Sequence, residues 1–426
     1  MRKHVLQQMI KLKKFKGFIP PKEIAPKLIA PPYDVLNTKE AREMAGSNEM
    51  SFLRVNRPDI EFPDGTDIYS QQIYDRARDN LKKFLDKGYL VQDKTARVYI
   101  YGQKMGNHTQ YGIIALSHID DYEKGLIKKH EFTRKDKEAD RTKFTDIQNA
   151  NVGPVFLTYK HKATIDSVVK EVVTKKECYS HVVSDDGFEH TLWLVDEVHS
   201  DFIINEFGTI PDTYIADGHH RAASAFNVGK MRKEKALAEG RKLTGEEDFH
   251  YFMTILYPDN NLKVLDYNRV LKELNGNTEA QVMEKIGKAY EISPIEGDPR
   301  PKGKGFHSLY IGKKWYQLKV KPGIVDEKDP IKSLDVEVLM DNVLIPIFGI
   351  EDPRTDERID FVGGIRGLKE LEKRCTEDCV CAFAMYPVSV AEMMNIADNG
   401  KIMPPKSTWF EPKPRSGFVV HIIEND

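Results

Sequence analysis

The chain has 426 residues, with 64 Lys and Arg against 66 Asp and Glu, a formal net charge of -2. That balance lacks the basic surplus of a duplex-binding protein and argues against nucleic acid as the main ligand. The hydrophobic set is 40% and the charged set 31%, a globular composition at a length that buries more than one core. No run reaches the ~18 apolar residues of a membrane span. Val5–Ile10 is too short, and holds too much glutamine, for a signal core. Four cysteines are too few to staple this length. Cys375, Cys379 and Cys381 crowd together but need a fourth ligand from elsewhere to hold zinc. The expectation is a cytoplasmic protein with reduced thiols and no membrane partner.

In chain order, the prolines of Ala30-Pro31-Pro32-Tyr33-Asp34 stiffen a loop, and a helix is expected over Thr38–Ala45. Ser51-Phe52-Leu53-Arg54-Val55 alternates like a strand, which places Arg54 and Asn56 on one face. Ile73, Ala77, Leu81 and Phe84 share a stripe and predict a helix over Ile68–Lys87. Arg97–Tyr101 and Gln110–Leu116 read as a strand pair, and Lys128–Lys143 as part loop, part helix. Ala163–Lys175 is a polar helix. Thr191–Val195, Tyr214–Ala216 and Tyr251–Tyr257 are strands, the last two apolar enough for a sheet centre. Gly229–Glu247 reads as a solvated loop or a lid. Further on, Val264–Leu274 suggests strand then helix, and Phe306–Ile311 with Lys314–Val320 a hairpin. Helices are expected at Thr278–Tyr290, Asp335–Leu344, Gly367–Lys373 and Val390–Asp398, and a strand at Ala382–Pro387. The pattern predicts an α+β (mixed α/β) multidomain protein without regular βαβ succession. Three regions are expected: 1–159, contributing loops to a site; 160–260, carrying a phosphate-binding core; and 261–426, contributing a Pro-Pro-Lys-Ser-Thr loop.

Four polar clusters could carry chemistry. In Tyr214-Ile215-Ala216-Asp217-Gly218-His219-His220-Arg221 an apolar run meets an acid, a glycine and three basic side chains. A small-residue helix follows. Amides at a helix start have no intrahelical partner, and with Arg221 in the first turn they suit a phosphate or carboxylate. His130-Glu131-Phe132-Thr133, with Lys137, Asp140 and Arg141, mixes groups for proton transfer or metal binding with groups for phosphate charge; an ordinary charged helix is the plainer alternative. Asp34 stands on its stiff loop as a cation or proton acceptor, or as a turn cap. Lys406-Ser407-Thr408 follows two prolines and precedes Trp409-Phe410. The common phosphate-loop, dinucleotide, nucleophile-elbow and His-Glu-x-x-His patterns are missing.

These stretches, with Asn151-Val152-Gly153-Pro154-Val155-Phe156 and Met403-Pro404-Pro405-Lys406-Ser407-Thr408-Trp409-Phe410, together resemble the family called domain of unknown function 1015, in family order along nearly the whole chain. The Asp-Gly-His-x-Arg element also resembles the signature shared by the ParB partition protein, sulfiredoxin and the free-serine kinases. That second resemblance implies a ParB/sulfiredoxin-like core in which Asp217, Gly218, His219 and Arg221 handle phosphate and His220 takes the variable position. Asn268-Arg269 stands where relatives often have His-Arg. The kinase base has no secure match, and Glu131 is chosen by its neighbours.

The leading expectation is phosphoryl transfer between a nucleotide, ATP or ADP with Mg²⁺, and a small hydroxy amino acid, serine or phosphoserine. Glu131, His130, Asp217 and His219 are the catalytic candidates. Asp34, Arg54, Thr133, Lys137, Arg141, Gly218, His220, Arg221, Lys406, Ser407 and Thr408 are the ligand-binding set, and Asp34 and Asp217 the magnesium ligands. His219 is expected to face the ligand near its ordinary pKa of about 6.5. A nucleotide-free phosphoserine hydrolase and a nucleotide-gated scaffold are the alternatives.

Overall fold

A computed structural model describes residues 9–424; most of the Val5–Ile10 stretch lies outside them. The chain divides into two compact units, one of residues 1–262 with 412–426, the other of residues 263–411. Strands on both sides of residue 159 pair with one another in one sheet, and the described residues from Pro412 on return to the first unit.

The first unit is built on a nine-stranded sheet. Its strands are β1 (Leu12–Lys13), β2 (Tyr99–Met105), β3 (His108–His118), β4 (Ile127–Lys128), β5 (Val155–Tyr159), β6 (Ser180–Val183), β7 (Glu189–Leu194), β8 (Thr213–Asp217) and β9 (Tyr251–Pro258). The order is β4-β8-β5-β9-β3-β2-β7-β6, with β1 on β3. Two pairings are parallel, β4 with β8 and β5 with β9; the other pairings are antiparallel. Every residue of β5 is buried, as is β9 up to Tyr257, the continuous apolar signature of central strands.

Five long helices belong to this unit: α1 (Gln71–Asp86), α2 (Lys135–Gln148), α3 (Ala163–Lys175), α4 (Glu197–Phe207) and α5 (His219–Ala238). Helices α3, α4 and α5 pack on the sheet through Ile165, Val172, Ile203, Phe207, Ala222 and Ala223. The small side chains at the start of α5 bring its backbone close to the strands. A second core, with Leu28, Phe52, Leu81, Phe84 and Val420, lies under α1 and the short helices before it.

The helix expected at Thr38–Ala45 has those limits, closed by a capping box between Asn37 and Glu40. Two readings are corrected. Ser51–Val55 is not a strand: Leu53–Asn56 is one helical turn, with Leu53, Val55 and Asn56 all buried. The alternation there reflected burial on several sides rather than a pleat. The segment from Gly229 is not a loop throughout, because α5 continues to Ala238 before the chain turns.

The second unit carries β10 (Tyr267–Leu271), β11 (Tyr290–Pro294), β12 (Phe306–Ile311), β13 (Lys314–Val320), β14 (Ile359–Gly363) and β15 (Cys381–Ala384). They form one antiparallel sheet in the order β11-β13-β12-β15-β10-β14. The β12–β13 hairpin closes at Gly312 and Lys313, with φ of 56° and 61°, the geometry a two-residue hairpin turn requires. Helices α6 (Glu279–Ile286), α7 (Leu368–Glu377) and α8 (Val390–Asp398) complete it, with a helical stretch from Asp335 that loosens into a π turn at Met340–Leu344. The α+β, multidomain organisation is thus present. Among the described residues no helix is long and apolar enough to cross a membrane, and the four cysteines are free thiols.

Burial leaves a titration signature. The imidazoles of His307 and His421 are pushed down to about 4, and that of His190 to about 3. A depressed histidine is neutral in the folded chain, so below pH ~6.5 the unfolded chain takes the proton first and stability falls at roughly 1.4 kcal/mol per pH unit for each. Asp121 and Asp335, pushed up to about 6 by burial, act in the opposite sense only between pH 6 and ~4. Three groups outweigh two and begin earlier, so the urea midpoint should fall steadily from pH 7 to pH 4.5. A flat or rising midpoint contradicts this assignment.

Candidate functional site

Strand β8 ends at Asp217, and the next residue turns the chain into α5. Gly218 has φ 95° and ψ 34°, a left-handed conformation open to glycine and costly for other residues. A Cβ there would also lie 2.9 Å from Arg221 Nε. The arginine therefore folds back over the glycine. Its Nη2 donates to Asp217 Oδ2 at 2.5 Å, and its Nη1 donates to the Pro154 carbonyl oxygen. The first amides of α5 precede its first intrahelical bond, Ala222 N–H to the Gly218 carbonyl.

Asp217 carries a second cation. Lys413 Nζ, from the returning C-terminal segment, donates to its other oxygen at 2.5 Å. Burial alone would raise this carboxyl, but Lys413 and Arg221 outweigh it and hold Asp217 well below the usual carboxylate range. Both carboxylate oxygens thus accept from side-chain cations. Arg221 is reciprocally held above its ordinary value: burial opposes this, and Asp217 and then Asp34 raise it.

Beside this pair lies a cavity of ≈ 50 Å³, lined by residues that include Tyr33, Arg141, Asn151, Gly153, Arg221 and Ser416. Its walls come from the stiff loop after Pro32, from α2, from the turn before β5, from α5 and from the C-terminal segment. The Arg141 guanidinium stacks 4.7 Å from the Tyr33 ring centre and is steadied by Asp140, itself bonded by the Tyr74 hydroxyl at 2.7 Å. The Tyr33 phenol is pushed up to about 12, by burial first and then by Asp34. Two guanidiniums, each paired with an aspartate, thus lie on one small cavity.

On the other side of the β8–α5 junction stands a second group. Because β4 and β8 run parallel, their ends lie at one sheet edge, so His130, just beyond β4, meets His219, just beyond β8. The rings are edge to face, 4.5 Å between centres. His219 Nδ1 lies 3.9 Å from a Glu131 carboxylate oxygen. His130 is pushed down to about 4 by burial. His219 is held well below its ordinary value by burial first and by His130 next. The expectation of a ligand-facing His219 near pKa 6.5 is corrected: its side chain is 6% exposed, and a buried imidazole beside another stays neutral. His220 is half-buried, and its Nε2 accepts from the Arg134 amide.

The expected residues separate in this way. His130, Glu131, Asp217, Gly218, His219, His220 and Arg221 gather around the start of α5, Arg141 faces the cavity, and Asp34 lies exposed on its loop, close enough to act on Arg221 and His220. Thr133 donates to Glu138, which also accepts from Asn227; this ties the Thr133 loop to α5. Lys137 reaches the Tyr69 hydroxyl at 2.5 Å. The Arg54 guanidinium bonds Glu61 and the carbonyls of Asn48 and Gly46, away from the cavity lining. Lys406, Ser407 and Thr408 lie in the second unit. There Lys406 sits over the Tyr267 ring, and Ser407 donates to the Pro404 carbonyl oxygen at 2.6 Å.

Lys413 and Ser416 escaped sequence reasoning, because the cluster around Lys406 was read as ending at Phe410. Pro412-Lys413-Pro414-Arg415 repeats the same proline-restrained basic pattern only a few residues later. The turn at Gly218 generates a direct test. Gly218→Ala should destabilise the chain by about 1–2 kcal/mol through its left-handed backbone, read as a shift in the urea midpoint at constant slope. A variant as stable as the parent contradicts the described turn.

No curated protein matches the chain. Among solved structures it is similar to a free serine kinase in complex with AMP, at 14% identity and TM-score 0.33, over 70% of this chain and 86% of that one. It is similar to a conserved hypothetical protein from Pyrococcus furiosus, at 16% identity and TM-score 0.32, over 71% and 91% of the two chains. A third is SbnI with a C-terminal truncation from Staphylococcus aureus, at 10% identity and TM-score 0.35, over 72% and 86%. The model of the protein family of unknown function DUF1015 matches residues 12–337, and the chain belongs to that family.

Proposed function

We propose that the chain transfers a phosphoryl group between a nucleotide, ATP or ADP, and a small hydroxy amino acid of the serine class. The observation that carries this reading is the pair of guanidiniums, Arg141 and Arg221, on one cavity beside the first turn of α5. The resemblance of Asp217-Gly218-His219-His220-Arg221 to the free-serine-kinase motif supports it. Phosphoryl transfer asks a protein for charge neutralisation, alignment and a proton acceptor. Arg221 and Arg141 supply charge, and the amides after Gly218 supply donors aimed outward from the helix start.

At ≈ 50 Å³ the cavity has room for a water or two rather than a nucleoside. The reading therefore assigns it to phosphate oxygens, with the rest of the nucleotide outside. Arg221 then exchanges part of its bonding to the Pro154 carbonyl for phosphate, while Asp217 keeps the guanidinium in place. Glu131, 42% exposed, is the proton acceptor. The serine hydroxyl oxygen bonds to the terminal phosphorus, its proton passes to Glu131, and the nucleotide leaves with one phosphate fewer. With Asp217 occupied, Asp34 is the exposed carboxylate that fits Mg²⁺, which reaches such sites with one or two carboxylates and the substrate phosphates.

Incubation with serine, Mg²⁺ and either nucleotide should yield phosphoserine by mass, or the reverse reaction from phosphoserine. Phosphate release from phosphoserine without nucleotide would instead indicate a hydrolase. Absence of any turnover, with ligand-dependent conformational change alone, would indicate a switch; either outcome overturns the proposal. In calorimetry, Arg221→Ala should weaken nucleotide binding about 10- to 150-fold, the equivalent of roughly 1.5–3 kcal/mol for a charged hydrogen bond. Unchanged affinity in a folded variant would remove Arg221 from the site.

A further inference from the structure

We propose that His130, Glu131 and His219 form a binding site for a divalent transition-metal ion of the zinc class, separate from the arginine-lined cavity. One ligand-type atom from each of the three lies within 4.8 Å of the other two, and none of the three residues lines that cavity. A four-coordinate ion with bonds of about 2.1 Å holds its donors roughly 3.4 Å apart. The cluster therefore has to contract by little more than one ångström. The half-exposed Glu131 can supply that movement, while the two imidazoles are fixed by burial.

The buried atoms point to the same conclusion independently. His130 and His219 are 3% and 6% exposed. Yet His130 Nδ1 is fully buried without a hydrogen-bond partner, while His219 turns its Nδ1 toward Glu131, 3.9 Å from a carboxylate oxygen. A buried polar atom left unpaired costs stability, and in a native site it calls for an occupant. The backbone at Ile215 engages the His130 ring, which leaves Nδ1 with its lone pair. A ring nitrogen held by a backbone carbonyl while the other nitrogen stays open is the arrangement that orients metal-ligating histidines.

Two histidines and one carboxylate select zinc-like ions over Mg²⁺, which prefers oxygen donors. Three protein ligands leave a coordination position open, as in catalytic zinc sites. A carboxylate bound through one oxygen keeps its second oxygen for a proton, so the site is compatible with the role assigned to Glu131 and does not depend on it.

The test uses the full chain without a histidine tag, stripped with chelator, and the metal alone as probe. Co²⁺ should bind at one ion per chain with visible ligand-field absorbance, be displaced by stoichiometric Zn²⁺, and withstand a large excess of Mg²⁺. His130→Asn and His219→Asn should each weaken binding at least about 10-fold, and His181→Asn, at an exposed histidine outside the cluster, should not. If the buried variants fail to fold, Glu131→Gln, on a half-exposed side chain, decides by the same criterion. Lack of stoichiometric binding by the parent, or parental affinity in Glu131→Gln together with the foldable histidine variants, overturns the site.

Discussion

The structure around the start of α5 depends on one carboxylate. Asp217 sits at the end of β8, where burial disfavours its charge, and it stays ionised because two cations hold it, Arg221 from the first turn of α5 and Lys413 from the C-terminal segment. A buried charge of this kind is tolerated only when paired and hydrogen-bonded. The pairing has several consequences at once. It requires a residue without Cβ at 218, since the arginine lies over that position. It fixes Arg221 against the Pro154 carbonyl, at the edge of the cavity. It also draws the far end of the chain back to the sheet, reinforced by the pairing of His421 with Asn151.

The same carboxylate divides the surroundings into two electrostatic settings. On the Arg221 side, the Arg141 and Arg221 guanidiniums line a small cavity, the setting in which a phosphate is proposed to bind. On the His130 side, two buried imidazoles stand beside the Glu131 carboxylate, the setting proposed for a zinc-class cation. One strand end thus presents an anion setting and a cation setting within a few residues. The parallel pairing of β4 with β8 is the reason, because it brings His130 to the edge where His219 begins the helix.

Much of this was legible in the residues and some was not. Asp217-Gly218 announces a turn, and the alanines behind Arg221 announce a helix pressed on a sheet; both follow from local chemistry. The hairpin at Gly312-Lys313 and the capping box at Asn37 are local in the same sense. Ser51–Val55 was misread because a buried helical turn and a half-buried strand both alternate over five residues, and only the packing of Phe52, Leu53 and Val55 distinguishes them. Lys413 was invisible because its partner lies 196 positions earlier, and no periodicity spans that distance. The pKa of His219 was misjudged for a related reason: the ring is buried and lies beside His130, a neighbour supplied by strand pairing rather than by the adjacent sequence.

The most direct measurement is a double-mutant cycle on stability with Asp217→Asn, Arg221→Gln and the two combined. If the ion pair organises the helix start, each single change should cost more than surface substitution does, and the double variant should be less destabilised than the sum of the two. The predicted coupling is of the order of 1–3 kcal/mol, the range for contacting charged residues. Additive costs would mean that Asp217 and Arg221 act independently and would contradict the account.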